Sequence, residues 1–289
     1  MLEDRSLKAA ISVNHSSHQR EHGEAIKNGL ERHGIKTGFI QDNSPYEDAD
    51  FHVVWSIKKL AVMDWRRRTG KPVLIMERGH VGDRMKYTSC GWNGLGHRGI
   101  YPKAVDGGER WRKQYSDLMR PWRKPGDYVL LIGQVPTDSA LDGLKIGLNR
   151  WAQNVTNQLL AMGHKVVYRP HPWTIANGYD SRGPKGSSPS KGTLEEDLRS
   201  ALICVTYNST AGVESVLLGV STITLDEGAM AWPVSSHALV DPITQPDREV
   251  WAHDLAWTQW TLEDMRSGYA WEYLKCVVET SGICTPLLG

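Results

Sequence analysis

Arg169-Pro170-His171-Pro172, followed about 35 residues on by Tyr207-Asn208-Ser209-Thr210-Ala211-Gly212-Val213-Glu214, is the stretch that decides the fold. Each piece closes a short apolar run, Lys165–Tyr168 before the first and Ala201–Thr206 before the second. Runs of this length rich in β-branched residues read as buried parallel strands. After the second run, small residues lead into an apolar-periodic helix from Val213 to Leu218. A helix that opens with Ser209, Thr210 and Gly212 offers backbone N–H groups, hydroxyls and a positive dipole end, which suits a phosphate. An N-cap serine in an ordinary strand–turn–helix explains Ser209 taken alone equally well. Arg169 and His171, at the carboxyl end of a neighbouring strand, are expected on the same crevice, where open α/β sheets bind ligands. Both pieces in this order favour a diphosphate site.

Working outward, strands alternate with helices on both sides of this region, which implies parallel, doubly wound sheets. Before it, Lys8–Val13, Ile35–Ile40, Phe51–Trp55 and Val73–Met76 read as strands, with helices over Glu24–His33 and near Leu60–Arg68. A basic, Trp-containing stretch from Arg110 to Lys124 ends at Pro125-Gly126, the expected linker. A second series starts at Tyr128–Ile132, passes a helix near Leu148–Met162, and adds a strand at Thr222–Leu225. The Gly, Pro and Ser-rich stretch 177–192 reads as a mobile basic loop. The chain from Asp247 to about Val278 reads as helical and Trp-rich. The expected division is therefore 1–125 and 126–289, with the C-terminal helices in the second domain.

Composition sets wide limits. At 289 residues, with 40% hydrophobic and 23% charged residues, the chain suits soluble α/β domains with real cores. A formal net charge of +1 argues against wholesale coating of a polyanion but allows a local basic face. No apolar run reaches the 18 or so residues of a membrane span, so no membrane partner is expected. Cys90, Cys204, Cys276 and Cys284 lack metal-type spacing, and reduced thiols in a cytoplasm are the default. Twelve Trp stand against two Phe, an unusual ratio that suits packing and stacking alike.

Further motifs connect these halves to a known family. Met76-Glu77-Arg78-Gly79-His80, then Tyr87-Thr88, then Gly91-Trp92-Asn93-Gly94 resembles the E-x-G…T…G-x-N-G pattern of the capsule polysaccharide (Kdo) transferase-like superfamily. Val129 to Ser139 is similar to that family's strand followed by Q-V-x-x-D-S, and Gly228-Ala229-Met230-Ala231-Trp232 to its later G-x-A-x-aromatic segment. The match spans roughly residues 73 to 235 and departs at Arg78-Gly79-His80 and in the Trp-rich C-terminus. The resemblance implies a GT-B glycosyltransferase, with two Rossmann-like doubly wound domains facing a cleft. The donor is then a nucleotide sugar, of UDP-glucose type. The chain also resembles phage-encoded glycosyltransferases that modify hydroxymethylated pyrimidines in phage DNA, which places it in the host cytoplasm.

Transfer of a sugar leaves a nucleotide phosphate with extra negative charge, so positioned donors are the main catalytic need. Arg169, His171, Asn208, Ser209 and Thr210 are cast in that role, with Gln134, Asp138 and Ser139 on the same edge. Asp138 or Ser139 caps a helix on the alternative reading. Glu214 either takes ribose hydroxyls or complements a helix N-terminus. Asp226 and Glu227 either hold sugar hydroxyls or make a turn. The acceptor hydroxyl needs a base, which GT-B enzymes draw from the first domain. Glu77 is the first choice, with Asp83, His18 and Asp42 behind it; a pairing of Glu77 with Arg78 or Arg84 is the structural alternative.

His18 and His22 stand four apart without a third ligand, and Asp48-Ala49-Asp50 precedes a strand, so neither reads as a metal site. No cofactor and no essential metal are expected. For the acceptor, Trp65-Arg66-Arg67-Arg68, Arg110-Trp111-Arg112-Lys113 and Trp122-Arg123-Lys124 interleave cations with aromatics, as a nucleic-acid groove does. Arg112, Lys113, Trp122, Arg123 and Lys124 are the acceptor-binding candidates, with duplex DNA as partner and 5-hydroxymethylcytosine as target. A solvated basic face explains any one cluster. A monomer is expected. A surface-glycan transferase and a nucleotide-sugar epimerase are the alternative readings.

Overall fold

The computed structural model describes residues 6–14, 16–41 and 44–280; Asp42 and Cys284, singled out above, lie outside them. The chain forms two compact units, residues 1–111 with 253–289, and residues 112–252.

In the first unit, β1 (Lys8–Ser12), α1 (Ser17–Arg32), β2 (Lys36–Phe39), β3 (Phe51–Trp55), α2 (Leu60–Thr69) and β4 (Val73–Arg78) alternate, as the apolar pattern requires. Strands β1 to β4 run parallel in the order β4-β3-β1-β2. β3 is buried at every position, the mark of a strand covered on both faces. β5 (Tyr87–Trp92) then turns back antiparallel on β4, pairing Glu77 with Ser89 and Met76 with Cys90. Its sequence reads as motif more than as strand, because Thr88, Ser89 and Gly91 dilute the apolar signal. α3 (Glu109–Gln114) carries the chain out of this unit.

The second unit holds β6 (Tyr128–Ile132), α4 (Leu148–Ala161), β7 (Val166–Arg169), α5 (Pro172–Ala176), β8 (Ser188–Pro189), α6 (Leu194–Arg199), β9 (Ala201–Thr206), α7 (Ala211–Leu217) and β10 (Thr222–Thr224). Its five strands are all parallel, in the order β10-β9-β6-β7-β8. α4 buries Leu148, Trp151, Ala152, Val155 and Leu159, a helical stripe that packs on Val129, Leu131, Val166 and Val205. Each large side chain so buried contributes about 1.5–3 kcal/mol. The stretch expected to be a featureless loop includes β8, and Lys185 N donates to Gln153 Oε1 at 2.7 Å.

The expected division at residue 125 differs from the packing. Residues 112–125 belong with the second sheet: Arg120 N donates to Leu217 O and Gly126 N to Ala201 O. The C-terminal segment, expected in the second domain, instead returns to the first sheet. α8 (Glu249–Leu255) is followed by β11 (Gln259–Thr261), which pairs antiparallel with β5, and then by α9 (Leu262–Arg266) and α10 (Tyr269–Thr280). Gln259 is wholly buried and Trp260 likewise, so this piece completes the core of the first unit. Arg110 is locked there, with its guanidinium 5.0 Å from the Trp257 ring and 4.5 Å from the Trp260 ring. It donates to Ala256 O and Gln259 O, both at 2.9 Å. Several of the twelve Trp therefore pack the first unit's interior.

Candidate functional site

At the carboxyl edge of the second sheet, β9 ends in a bend held by its own last residue: Thr206 Oγ1 accepts from Ser209 N at 3.1 Å. Asn208, buried in that bend, is a hub. Its N donates to Gln134 Oε1 at 3.1 Å, and its Oδ1 accepts from Gln134 Nε2 at 2.8 Å. Both protons of its Nδ2 are taken, by Ala140 O at 2.7 Å and Asp226 Oδ1 at 2.8 Å. A carboxamide with both protons spent has no donor left for a ligand. Asn208 and Gln134, both cast as donor-binding residues, tie the ends of β6, β9 and β10 together and aim Asp226. Asp226 Oδ1 also accepts from Gly228 N at 3.0 Å, which is the turn chemistry weighed above. Glu227, next in line, is exposed.

The phosphate-facing groups sort differently. Ser209 Oγ accepts from the N–H of Ala211, the first residue of α7, at 3.3 Å. Among the described residues, the backbone N–H of Thr210 meets no acceptor, and its side chain makes no cap bond. Glu214 is exposed within the first turn of α7. His171 is the N-cap of α5: its Nδ1 accepts from Trp173 N at 3.1 Å, which puts the proton of a neutral ring on Nε2. Asp138 caps the turn that follows it, Oδ1 accepting from Ala140 N at 3.0 Å, and Ser139 is buried. Arg169 does not join the others. Its Nη1 is taken by Asp197 at 2.8 Å, Ser190 Oγ at 2.9 Å and Gly192 O at 2.6 Å, which turns the guanidinium toward α6. His171, Ser209, Thr210, Glu214 and Asp226 thus follow the carboxyl ends of β7, β9 and β10.

In the first unit, the carboxyl edge gathers another set. Glu77 and Arg78 end β4, Trp55 ends β3, and α1 begins just after β1. The Trp55 ring takes the edges of His18 and His22, each at 5.2 Å between centroids, and lies 5.7 Å below the Arg78 guanidinium. Burial first, then the Arg78 charge, holds His22 near a pKa of about 4, and the same two causes lower His18. Both are therefore neutral imidazoles at pH 7. His22 Nδ1 bonds Thr88 Oγ1, which gives the threonine of the family pattern a structural task. Asn93 has another: at a φ of 64° its Oδ1 accepts from Arg66 Nε at 2.8 Å and Val73 N at 3.0 Å. Asp83 is exposed and serves its own turn, Oδ1 accepting from Met85 N at 3.0 Å. Asp50 accepts from Lys8 N at 2.8 Å.

One residue of this edge was not legible in the sequence. Gln259 Oε1 accepts from His80 N at 2.6 Å and Val81 N at 3.1 Å, while its Nε2 donates to Val81 O at 2.9 Å. A glutamine almost two hundred residues away thus fixes the loop behind Glu77. Gly79 is required beside it, since a Cβ there would stand 2.8 Å from Gln259 Oε1 and 2.9 Å from the Tyr87 Cβ.

The basic clusters are mostly occupied. Trp65 is buried, Arg67 pairs with Asp64, and Arg68 pairs with Glu47. Trp122 donates Nε1 to Pro246 O at 3.1 Å and is covered by Arg248, whose guanidinium lies 4.1 Å from the ring centroid. Arg123 gives its guanidinium to the carbonyls of Leu198 and Arg199. Arg112, Lys113 and Lys124 are exposed.

By sequence, no protein-family model matches the chain and no curated protein matches it. By structure, it is similar to the Thermosulfurimonas dismutans KpsC β-Kdo 2,4 transferase, with a TM-score of 0.58 at 15% identity over 87% of this chain and 90% of that one. It is likewise similar to the same organism's KpsC β-Kdo 2,7 transferase, at 0.56 and 14% over 94% and 100%. The fold is GT-B. Two Rossmann-like units built on parallel strands are what the motif order implied. Among the described residues, no helix is long and apolar enough to cross a membrane.

Proposed function

We propose that the chain is a glycosyltransferase that takes a sugar from a nucleotide-sugar donor. The observation that carries this reading is the placement of Ser209, Thr210 and Asp226 at the carboxyl ends of the adjacent strands β9 and β10, tied there by Gln134 and Asn208, with His171 on the same sheet edge after β7. That edge is where open α/β sheets take ligands. An imidazole Nε2–H, a hydroxyl pair and an uncommitted Thr210 N–H are donors suited to a leaving phosphate, and Asp226 and Glu214 are acceptors suited to hydroxyls. The similarity in fold to two Kdo transferases supports the same class of chemistry.

For the acceptor step, Glu77 takes the proton of the attacking hydroxyl, and neutral His18, whose ring meets Trp55 at the same sheet edge, is the second candidate. No metal or cofactor enters the proposal. The acceptor we propose is the hydroxymethyl group of 5-hydroxymethylcytosine in duplex DNA, approached along Arg112, Lys113 and Lys124, whose exposure suits phosphate contacts. Reaching that group requires the base to leave the stack. A surface glycan is the alternative acceptor.

The His171→Ala variant tests the donor site. It loses the α5 cap, at about 1 kcal/mol, and should keep its fold. Turnover should fall at least tenfold, since one charge-stabilising donor is typically worth about 2.7–4 kcal/mol. Unchanged turnover in a folded variant removes His171 from the site.

A further inference from the structure

The opposite edge of the second sheet has a different character. α6 ends at Arg199 and leads into β9, and α7 ends at Leu217 before β10, so both helices point their carbonyl ends at the amino edge. There Arg120, Arg123, Arg199, Glu195 and Leu218 line a cavity of about 280 Å³. β9 alone separates it from the Asn208 bend by about 20 Å, at roughly 3.3 Å per residue. It is therefore a separate place from the donor edge.

We propose that this cavity is a binding site for a phosphate-bearing ligand. Three guanidinium groups line it against the single carboxylate of Glu195, an excess of two positive charges in one concave surface. Arg123 is fixed in place by the carbonyls of Leu198 and Arg199, and Arg199 by Glu195 at 2.6 Å. The Arg120 guanidinium, exposed, has no acceptor among the described residues, while its backbone is pinned by Leu217 O. A fourth arginine, Arg248, does not line the cavity but bonds the Arg120 carbonyl. Arg248 is 7% exposed, and its guanidinium meets only the carbonyls of Val216 and Arg120 and the Trp122 ring among the described residues. Desolvation lowers its pKa with no carboxylate to offset the charge. The helix carbonyl ends answer Arg123 and Arg248 in part and Glu195 answers Arg199, which leaves the Arg120 guanidinium facing the cavity. Guanidinium forks match phosphate oxygens two at a time, and the volume exceeds what one phosphate needs. The phosphate belongs either to a free polyphosphate or to a phosphodiester backbone.

Calorimetry at low salt with inorganic pyrophosphate, and separately with a short DNA duplex, tests this. The variant pair is R120Q/R199Q, both exposed positions outside the donor edge, against a donor-edge control, H171A/S209A. Pyrophosphate affinity should fall at least tenfold in R120Q/R199Q and persist in the control. If the phosphate is polymer-borne, duplex binding should also weaken, and its log–log salt slope should shrink by about 0.9 for each lost contact. A melting curve checks the fold; should the double variant melt early, R120Q alone decides, since that side chain makes no bond to lose. Pyrophosphate binding that is absent in the wild type, unchanged in R120Q/R199Q, or lost only in the donor-edge control overturns the proposal. None of these readings depends on transferase activity.

Discussion

His22, His52 and His80 are buried imidazoles held far below the usual histidine value, at about 4, 4 and 3, by burial above all. The unfolded chain takes up these protons near pH 6.5, whereas the folded chain refuses them until about pH 4 or below. Stability therefore falls as the pH drops through that window and flattens beneath it, by up to about 1.4 kcal/mol per pH unit for each histidine. Denaturant unfolding between pH 6.5 and 5, above the carboxylate range, should show this loss; His22→Asn should reduce the slope by one proton. A flat stability profile between those pH values would mean the imidazoles are not buried neutral. Other residues show why side-chain roles were hard to foresee. Arg169 and Asn208 carry chemistry suited to a ligand, and only the positions of Asp197, for Arg169 Nη1, and of Ala140 O and Asp226, for Asn208 Nδ2, reveal which donors are already used.

Among elements, β11 is the one whose placement matters most for the proposed chemistry. The Trp-rich sequence 247–278 reads as one helical run, because its apolar residues satisfy a helical period and Gln259 is not apolar. A three-residue strand pairing with β5 is a tertiary decision, invisible to local pattern. The strands β1, β2, β3, β4, β6, β7, β9 and β10 were legible, since short apolar runs rich in β-branched residues have few other uses. Gln259→Ala strips acceptors from two buried N–H groups and a donor from Val81 O. It should cost about 2–3 kcal/mol of stability and loosen the loop behind Glu77. Donor binding, measured by calorimetry, should stay within a few-fold while kcat falls about tenfold. Loss of donor binding with kcat intact would detach this loop from the acceptor step.

At the scale of the molecule, GT-B architecture was legible from the order of motifs on successive strands, and the unit boundary was not. The basic stretch 110–124 looks like a linker because it is charged and ends in Pro125-Gly126. Arg110 and Trp111 belong instead to the first unit, where Trp257 and Trp260 enclose Arg110, and residues 112–124 belong to the second. The central claim is sugar transfer from a nucleotide donor. Its most direct measurement is incubation of the purified chain with a panel of nucleotide sugars, each with 5-hydroxymethylcytosine DNA, with an oligosaccharide, or with no acceptor, followed by mass spectrometry of acceptor and nucleotide. The expected result is one donor consumed only when acceptor is present, with the acceptor heavier by one sugar and 5-hydroxymethylcytosine the nucleoside modified. A sugar found on the oligosaccharide alone would move the acceptor to glycan and leave transfer standing. No acceptor-dependent release of nucleotide from any donor would contradict the claim itself.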